Sequence, residues 1–395
     1  MFTDNFESQS NKAKSGSLKK QWLETATKFL KGKPYQELDW EFSEGISVEP
    51  YYTKDEKDNS DFSHLQILQN NQIALNDPVS VPRFWYNQPF VRIDSLEKEE
   101  LEKANKETRR ILMSGAEGVI FDLQSIAIND FDEKSFEYLL FEVALPYCAI
   151  SFQIDIKEDV SLRDFSKKYT DYARDRGFDV TLLTGGILHN KNVELSKETL
   201  AFILDTDIKC RFHPISLYVE NGKDDAQAIA DTLFKIKTLV DNSNKSILQN
   251  IEFIIQATDS FFVTVSKIRA LRWLLIQIYD LYEVSYNPYI HSMTSRGTDE
   301  KSLTDENWNL IRNTTQAFSC ILGGTNVLTV VSHQAESSEN TKAWAARIAR
   351  NVSIMLREES FIDKNVDPIS GSYYSQQMTE KLIDSAWTKF QEMLG

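Results

Sequence analysis

Cysteine is scarce in this chain of 395 residues, which has only Cys148, Cys210 and Cys320. The three are isolated and odd in number, so neither a CxxC zinc or redox pair nor a local disulfide framework can form. We expect them to be small hydrophobic side chains inside the protein.

The sequence also lacks long runs of basic or apolar residues. Its formal net charge is −15 at pH 7, and its densest basic stretches are only Lys19-Lys20 and Lys28 to Lys33, so nucleic acid and anionic membranes are not expected as partners. No apolar run approaches the roughly 18 residues that span a bilayer. The first residues, MFTDNFESQSNKAKSGS, lack the apolar segment of a secretory signal. These absences predict a cytoplasmic protein.

Motifs that would identify a reaction are missing too. There is no GxGxxG or GxxxxGK[ST] phosphate loop and no GxSxG nucleophile elbow. The histidines do not stand at metal-ligand spacing such as HxH or HExxH; they are His64, His189, His213, His291 and His333. We therefore expect neither a metal site nor a cofactor site in this chain.

What the sequence does contain begins with an arm, which we assign to residues 1–92. The helical spacing of apolar residues from Trp22 to Leu30 predicts a helix over residues 17–30, which Gly32 and Pro34 end. The rest of the arm has irregularly spaced aromatic residues among prolines. Such a segment is expected to pack on another surface rather than to form a core of its own.

Residues 93–395 alternate short apolar strands with amphipathic helices, which predicts parallel strands joined by crossover helices. At seven or more repeats, an α/β fold closed into a (β/α)8 barrel of the TIM type leaves no exposed sheet edge. An open doubly wound sheet is the alternative, and the missing glycine-rich turn argues against it. The predicted strands are residues 119–121, 147–152, 178–183, 214–219, 251–255, 285–293 and 327–331.

In such a barrel, catalytic side chains project from the carboxyl ends of the strands. Asp122 ends the first predicted strand, Thr184-Gly185-Gly186 follows the third, and Glu220 follows the fourth. Asp122 could equally cap its strand, the glycines could simply form a turn, and Glu220 has no second acid in view. None of these residues identifies a reaction by itself.

The stretch YIHSMTSRG, residues 289–297, begins a series of motifs in the last third of the chain. It is followed by RNT (312–314), LGGT (322–325), ARIARN (346–351), DP (367–368) and GSYY (371–374). Together these motifs resemble the barrel domain of the methylmalonyl-CoA mutase family, with weaker matches upstream to about residue 40. The resemblance implies a barrel that an acyl-CoA threads and the adenosylcobalamin-dependent interconversion of methylmalonyl-CoA and succinyl-CoA, with cobalamin held by a separate domain.

The chain departs from the family pattern at positions that the family uses for chemistry. Val219 stands where the family has a histidine acting on the substrate carbonyl, Phe90 stands near a tyrosine that helps to cleave the cobalt–carbon bond, and Tyr289 replaces an arginine. Valine and phenylalanine cannot donate a hydrogen bond or transfer a proton. We expect these side chains to fill the channel, with no catalytic residue left. The matched positions that remain weak candidates for substrate binding are Tyr218, His291, Ser292 and Thr294.

These losses resemble the small, non-catalytic subunit of heterodimeric mutases. The resemblance implies that a large catalytic subunit is the partner, that it carries the adenosylcobalamin, and that this chain serves in its assembly and stabilisation. The sequence has no DxHxxG motif to coordinate cobalt, so we expect a barrel without a cobalamin-binding domain. Two alternatives stay open: a competent acyl-CoA mutase barrel that uses a separate cobalamin protein, and a non-catalytic acyl-CoA binding module. A filled channel is not expected to bind acyl-CoA.

Overall fold

The protein was studied as a computed structural model, which describes residues 18–53, 68, 83–189, 193–205, 211–334 and 339–395. Within these residues eight barrel strands, two of them split, alternate with helices. The strands are β1 (Tyr86–Asn87 and Phe90–Arg92), β2 (Gly118–Asp122), β3 (Ala149–Ile154), β4 (Gly185–His189), β5 (Phe212–His213 and Ile215–Val219), β6 (Ile251–Gln256), β7 (Tyr289–Met293) and β8 (Val327–Thr329). The helices of seven or more residues from residue 98 onward are α1 (Lys98–Leu112), α2 (Glu133–Leu139), α3 (Asp159–Asp175), α4 (Lys197–Asp205), α5 (Asp225–Asn242), α6 (Phe261–Leu281), α7 (Trp308–Gly323), α8 (Glu339–Glu358) and α9 (Tyr373–Leu394), and a short helix, Glu300–Thr304, precedes α7.

Hydrogen-bonded pairing closes these strands into a barrel. The two segments of β1 pair with β8 and with β2, and β4 pairs with β5 where Gly186 lies opposite His213. The other neighbours pair in chain order, and the pairs are parallel. Outward side chains of the strands pack with the helices in two large apolar clusters. The predicted (β/α)8 barrel is confirmed.

The first barrel strand lies earlier in the chain than expected. β1 falls inside the range 1–92 that the sequence assigned to the arm, so the predicted start of the barrel at residue 93 is wrong. Proline cannot donate a hydrogen bond to a strand ladder. Both split strands carry a proline at the break, Pro89 in β1 and Pro214 in β5. The prolines and irregular aromatics of this stretch concealed a strand.

The strand predicted at residues 178–183 is also wrong. Val180–Leu182 is a 3-10 turn, and β4 begins at Gly185, where the sequence suggested a glycine turn. Gly185 has a φ of 125°, and a Cβ atom there would lie 2.0 Å from the Ile150 carbonyl oxygen. Glycine is therefore required by the close approach of β4 to β3.

The arm folds back onto its own barrel. It contains a helix over residues 18–29 and a hairpin of Trp40–Ser43 and Ile46–Val48. The helix was predicted over residues 17–30, and residue 17 lies outside the described residues. The Ser43 hydroxyl accepts a hydrogen bond from the Asp225 backbone N–H at the start of α5, over 3.0 Å. Val48 packs with Val263 of α6 and Met378 of α9. The hairpin is thus anchored beside the carboxyl end of β5.

A buried ion pair joins α6 to the segment before α9. The Arg269 guanidinium donates to both carboxylate oxygens of Asp367, over 2.8 and 3.1 Å, and both side chains are buried. Burial lowers the pKa of the neighbouring Arg83 to about 10, and the charge of Asp367 acts in the opposite direction. One carboxylate therefore compensates two buried guanidinium groups.

The histidine at the amino-terminal end of β5 is buried against aromatic rings. His213 stacks on Tyr289 with the ring centroids 4.1 Å apart, and its Nε2 lies 2.9 Å from the Tyr286 hydroxyl. Burial lowers the pKa of His213 to about 4, while the charge of Glu252 and the Gly185 carbonyl act to raise it. The imidazole is therefore neutral in the folded protein at pH 7.

Replacing Asp367 with Asn should lower the free energy of unfolding by about 3–5 kcal/mol, because Arg269 would stay charged and buried without its counter-charge. Denaturant titration measures the change. Glu102→Gln is the matched control: it breaks an exposed pair with Lys98, 3.6 Å apart, and should cost about 0.5 kcal/mol or less. Equal effects of the two variants would contradict the role given to Asp367.

Stability should also depend on His213 between about pH 4 and pH 6.5. In that range the imidazole of His213 binds a proton in the unfolded chain but not in the folded chain. The stability that depends on a neutral His213 is therefore complete above pH 6.5 and is lost as the pH falls towards 4. The unfolding free energy of the wild type minus that of His213→Phe should rise with pH, by at most about 1.4 kcal/mol per unit. Tyr289→Phe, which keeps the imidazole, should retain the wild-type slope. Parallel curves for wild type and His213→Phe would refute this assignment.

Candidate functional site at the barrel axis

Inward side chains of the strands meet at the barrel axis, where the family resemblance places an acyl-CoA channel. The centre is a carboxylate–imidazole pair: Glu252 of β6 and His291 of β7 are both fully buried, and Glu252 Oε1 lies 2.8 Å from His291 Nδ1. The other ring nitrogen, Nε2, lies 2.8 Å from the Thr329 hydroxyl of β8. Both nitrogens of His291 are therefore engaged inside the protein.

The hydrogen bonds continue around the axis through β1. The Thr329 hydroxyl donates to the Gln88 carbonyl over 2.7 Å, and the Gln88 side chain donates to the Ala149 carbonyl over 3.1 Å. Ser151 of β3 then donates to Gln88 Oε1 over 3.3 Å and accepts from the Gly186 N–H over 3.1 Å. We call this connected set the polar belt; its side chains are Glu252, His291, Thr329, Gln88 and Ser151, which are buried without exception.

The belt is closed between β4 and β6 by contact rather than by a hydrogen bond. Glu252 Oε2 has no hydrogen-bond partner and lies 2.5 Å from the point where a Cβ atom of Gly186 would stand. The missing side chain at Gly186 therefore makes room for the Glu252 carboxylate. The belt thus extends through six of the eight strands.

The directions of these hydrogen bonds fix how many protons the belt holds. The single hydroxyl proton of Thr329 is given to the Gln88 carbonyl, so His291 Nε2–H must be the donor to Thr329. A further proton then lies between His291 Nδ1 and Glu252. The pair is an imidazolium facing a carboxylate, or a neutral imidazole accepting from a carboxylic acid. In either form His291 has no ring nitrogen left for a substrate.

An apolar layer covers the belt on the side of the strands' carboxyl ends. Ile120, Leu188 and Ile254 are buried there, and Phe90, Tyr218 and Met293 pack against them. Burial raises the pKa of the Tyr218 hydroxyl above its ordinary value. The family resemblance places Phe90 near a position where the family has a tyrosine, and in this chain it contributes an apolar ring to the layer. We call these six side chains the upper layer.

The structure brings only some of the predicted site residues together. Tyr218 and His291 face the axis in adjacent layers, and Tyr289 lies below them against His213. Val219 instead belongs to the outer core between the barrel and its helices, opposite Ile255 of β6. The expectation that Val219 fills the channel is therefore wrong, because its neighbour Tyr218 occupies the inward position.

Ser292 and Thr294 serve the strands rather than the axis. Ser292 faces α7, where its hydroxyl contacts Cys320; burial raises the pKa of that thiol to about 12, and the Ser292 hydroxyl acts in the opposite direction. The Thr294 hydroxyl accepts from the Val331 N–H over 2.9 Å, which ties the end of β7 to the segment after β8. Neither hydroxyl lies beside the His291 imidazole.

Sequence reasoning missed Glu252, the acid of the central pair. Its signal was present: a single carboxylate in the otherwise apolar run Ile251-Glu252-Phe253-Ile254-Ile255. An acid at a buried strand position requires a buried partner. Gln88 was likewise concealed by the split in β1.

The acids at the predicted strand ends have local roles. Asp122 Oδ1 accepts a hydrogen bond from the Gln124 N–H over 3.2 Å, as expected of a turn former. Glu220 is exposed, and its carbonyl accepts from the Lys267 ammonium over 2.7 Å. Lys267 is in turn paired with Asp225 at 2.8 Å. These contacts hold the β5–α5 connection.

The described residues contain neither a cluster of metal ligands nor a membrane-spanning helix. Among these residues, which leave out Cys210 and His64, no group of three or more His, Cys, Asp and Glu could hold a metal ion. No helix of the described part is long and apolar enough to cross a membrane.

Sequence comparison with known proteins points to methylmalonyl-CoA mutases. The family model described as methylmalonyl-CoA mutase matches residues 215–394. The methylmalonyl-CoA mutase small subunit of Porphyromonas gingivalis is 24% identical over 93% of this chain and 61% of its own length. The large subunit from the same organism is 24% identical over 90% of this chain and 55% of its own length. The chain thus spans somewhat more than half of these relatives.

Among solved structures, dihydropteroate synthase from Xanthomonas albilineans aligns with 69% of this chain and 93% of its own chain, at 13% identity and a TM-score of 0.39. The barrel assignment rests on the strand pairing described above and not on this likeness. The motifs between Tyr289 and Tyr374, the matching family model and the related mutase subunits agree with one another. The chain is therefore similar to the methylmalonyl-CoA mutase family, whose model matches its residues 215–394.

Proposed function

We propose that this chain is the small, non-catalytic subunit of a heterodimeric methylmalonyl-CoA mutase. In this role it assembles with and stabilises a large subunit, which interconverts methylmalonyl-CoA and succinyl-CoA. The observation that carries the proposal is the polar belt, because its hydrogen bonds occupy the axis through which a substrate would have to pass. The similarity to methylmalonyl-CoA mutases supports the reaction.

The filling of the axis favours a non-catalytic role. A substrate arm passing along the axis would have to separate Glu252 from His291 and leave both groups buried without a partner, which costs several kcal/mol. It would also have to displace the upper layer, in which Ile120 and Leu188 are fully buried. The barrel interior thus resembles a packed core more than a channel.

The same packing bears on the cofactor. Adenosylcobalamin supplies a radical that must reach the substrate, and the upper layer separates the carboxyl-terminal opening of the barrel from the axis. The residues present do not fit such a site, so we assign adenosylcobalamin to the large subunit and none to this chain.

Experiment distinguishes two other functions from the proposed one. A competent mutase barrel that works with a separate cobalamin protein would use His291, which the family resemblance marks as retained. An acyl-CoA binding module would need the axis to open without chemistry. Both require Glu252 and His291 to part, whereas the proposed function keeps them joined.

Co-expression with the large mutase subunit of the same organism should give a heterodimer whose mutase activity and melting temperature exceed those of the large subunit alone. The chain by itself, mixed with adenosylcobalamin and methylmalonyl-CoA, should give no succinyl-CoA. The melting temperature of the large subunit should rise because a partner subunit, like any ligand that binds only the folded state, stabilises that state. A large subunit that is equally active and stable without this chain would refute the proposal, and turnover by this chain with a separate cobalamin protein would support the competent barrel.

Calorimetric titration of the isolated chain with methylmalonyl-CoA, up to about 1 mM ligand, should give no binding heat. A dissociation constant of that size corresponds to a binding free energy of about 4 kcal/mol. Separating the buried groups of the belt costs as much or more, so no net binding is expected. Free CoA is the control for binding at the surface. Saturable binding of methylmalonyl-CoA with no binding of CoA would mean that the axis opens and would favour the acyl-CoA binding module.

A further inference from the structure

Arg350 of α8 is a buried arginine whose guanidinium has no partner. The residue is 5% exposed, its Nε is buried without a hydrogen-bond partner, and among the described residues no hydrogen bond or ion pair includes its guanidinium. Its backbone is fixed, because the Arg350 carbonyl accepts from the Asn87 side chain of β1 over 3.1 Å. A buried charge without compensation is destabilising, so its presence here needs a physical reason.

Arg357, about two turns further along α8, shows how the same helix compensates another arginine. Its Nη1 donates to Glu117 over 2.6 Å, and its Nε donates to Glu358 over 3.1 Å. Burial acts to lower the pKa of Arg357, but the Glu117 carboxylate outweighs burial and the pKa is raised. The pKa of Arg350 is lowered instead, by burial and then by the charge of Arg110. The two arginines therefore differ in the counter-charge that the protein supplies.

Two further arginines lie around Arg350. Arg347 is exposed and stands three residues earlier, on the same face of α8. Arg110 lies on α1, the neighbouring helix around the barrel. The charges of both arginines act to lower the pKa of Arg350, and among the described residues the charge of Glu107 acts to raise it. We call Arg110, Arg347 and Arg350 the arginine cluster.

Glu107 does not neutralise this cluster. Both of its carboxylate oxygens accept from Arg110, over 2.7 and 2.5 Å, so that pair has no net charge. Arg347 forms no ion pair with the described residues, and neither does Arg350. The positive charges of these two residues therefore remain uncompensated on one face of α8. They stand on a chain with a formal net charge of −15, so they are not part of a generally basic surface.

We propose that the arginine cluster binds a free oxyanion of the phosphate type. Guanidinium groups bind phosphate oxygens through paired N–H donors, and such charge-assisted hydrogen bonds are stronger than neutral ones. A doubly charged anion matches the charges of Arg347 and Arg350 that Glu107 leaves uncompensated. The anion has to be small, because Arg350 is almost fully covered. This inference is independent of the proposed function, since it requires neither the barrel axis nor a large subunit.

The test is calorimetric titration of the full chain with sodium phosphate in a buffer without other oxyanions, which should show one saturable site. Arg350→Gln should weaken this binding about tenfold or more, since it removes the charged donor of the site. Arg347→Gln should weaken it severalfold, and because Arg347 is exposed this variant should fold like the wild type. Arg174→Gln is the matched control: Arg174 pairs with Asp171 on the surface of α3, and its variant should bind phosphate unchanged.

Melting temperatures separate a binding role of Arg350 from a structural one. Phosphate should raise the melting temperature of the wild type above its value in chloride at equal ionic strength, because it binds the folded state. In chloride, Arg350→Gln should melt no lower than the wild type, since it loses an uncompensated buried charge.

Three results would overturn the inference. Equal stabilisation of the wild type by phosphate and chloride would mean general screening of charge. A loss of stability in Arg350→Gln that is the same in both salts would make Arg350 a structural residue. Tighter binding of glycerol 3-phosphate than of phosphate would exclude a free anion as the ligand, whereas weaker binding supports it.

Discussion

A carboxyl group and an imidazole held face to face inside a barrel govern the rest of this structure. Neither Glu252 nor His291 can be buried alone, because an uncompensated ionised side chain in a dry interior is strongly destabilising. Once they are paired, the remaining ring nitrogen of His291 needs its own partner, and Thr329, Gln88 and Ser151 follow in turn. The belt therefore fixes side chains on five strands, and a glycine on a sixth, through one continuous requirement for hydrogen-bonding partners.

This requirement also explains why the interior has two characters. The belt is polar because each of its members needs the next, whereas the upper layer of Ile120, Leu188, Ile254 and their neighbours is mostly apolar, with the Tyr218 hydroxyl as a polar group that bonds to Ser216. Apolar packing above the belt keeps water away from the paired groups and strengthens their interaction. A substrate channel would need the reverse arrangement, with open space and unpaired polar groups directed into it.

The sequence predicted the barrel well, because the alternation of strands and helices depends on local periodicity. It failed where tertiary contacts override local patterns: Gly185 and Gly186 read as a turn but lie in β4, where neighbouring backbone leaves no room for a side chain. β1 was missed because Pro89 interrupts its apolar pattern. The family motif around His291 was recognisable, yet the partner that gives His291 its role, Glu252, lies 39 residues away on another strand. The inward or outward direction of Tyr218 and Val219 likewise follows from the strand register, which sequence spacing alone left open.

The space shared by Gly186 and Glu252 constrains how this barrel can change over evolutionary time. Any side chain at position 186 collides with the carboxylate at 252, so the effect of a substitution at one position depends on the residue at the other. A Cβ atom at 186 would also lie 2.7 Å from the His213 carbonyl oxygen, so shortening residue 252 alone would not admit alanine or serine there; the backbone of β5 would have to move as well. Glycine at 186 is thus required both by the Glu252 carboxylate and by the neighbouring strand, and it should persist even in homologues that have lost the carboxylate at 252.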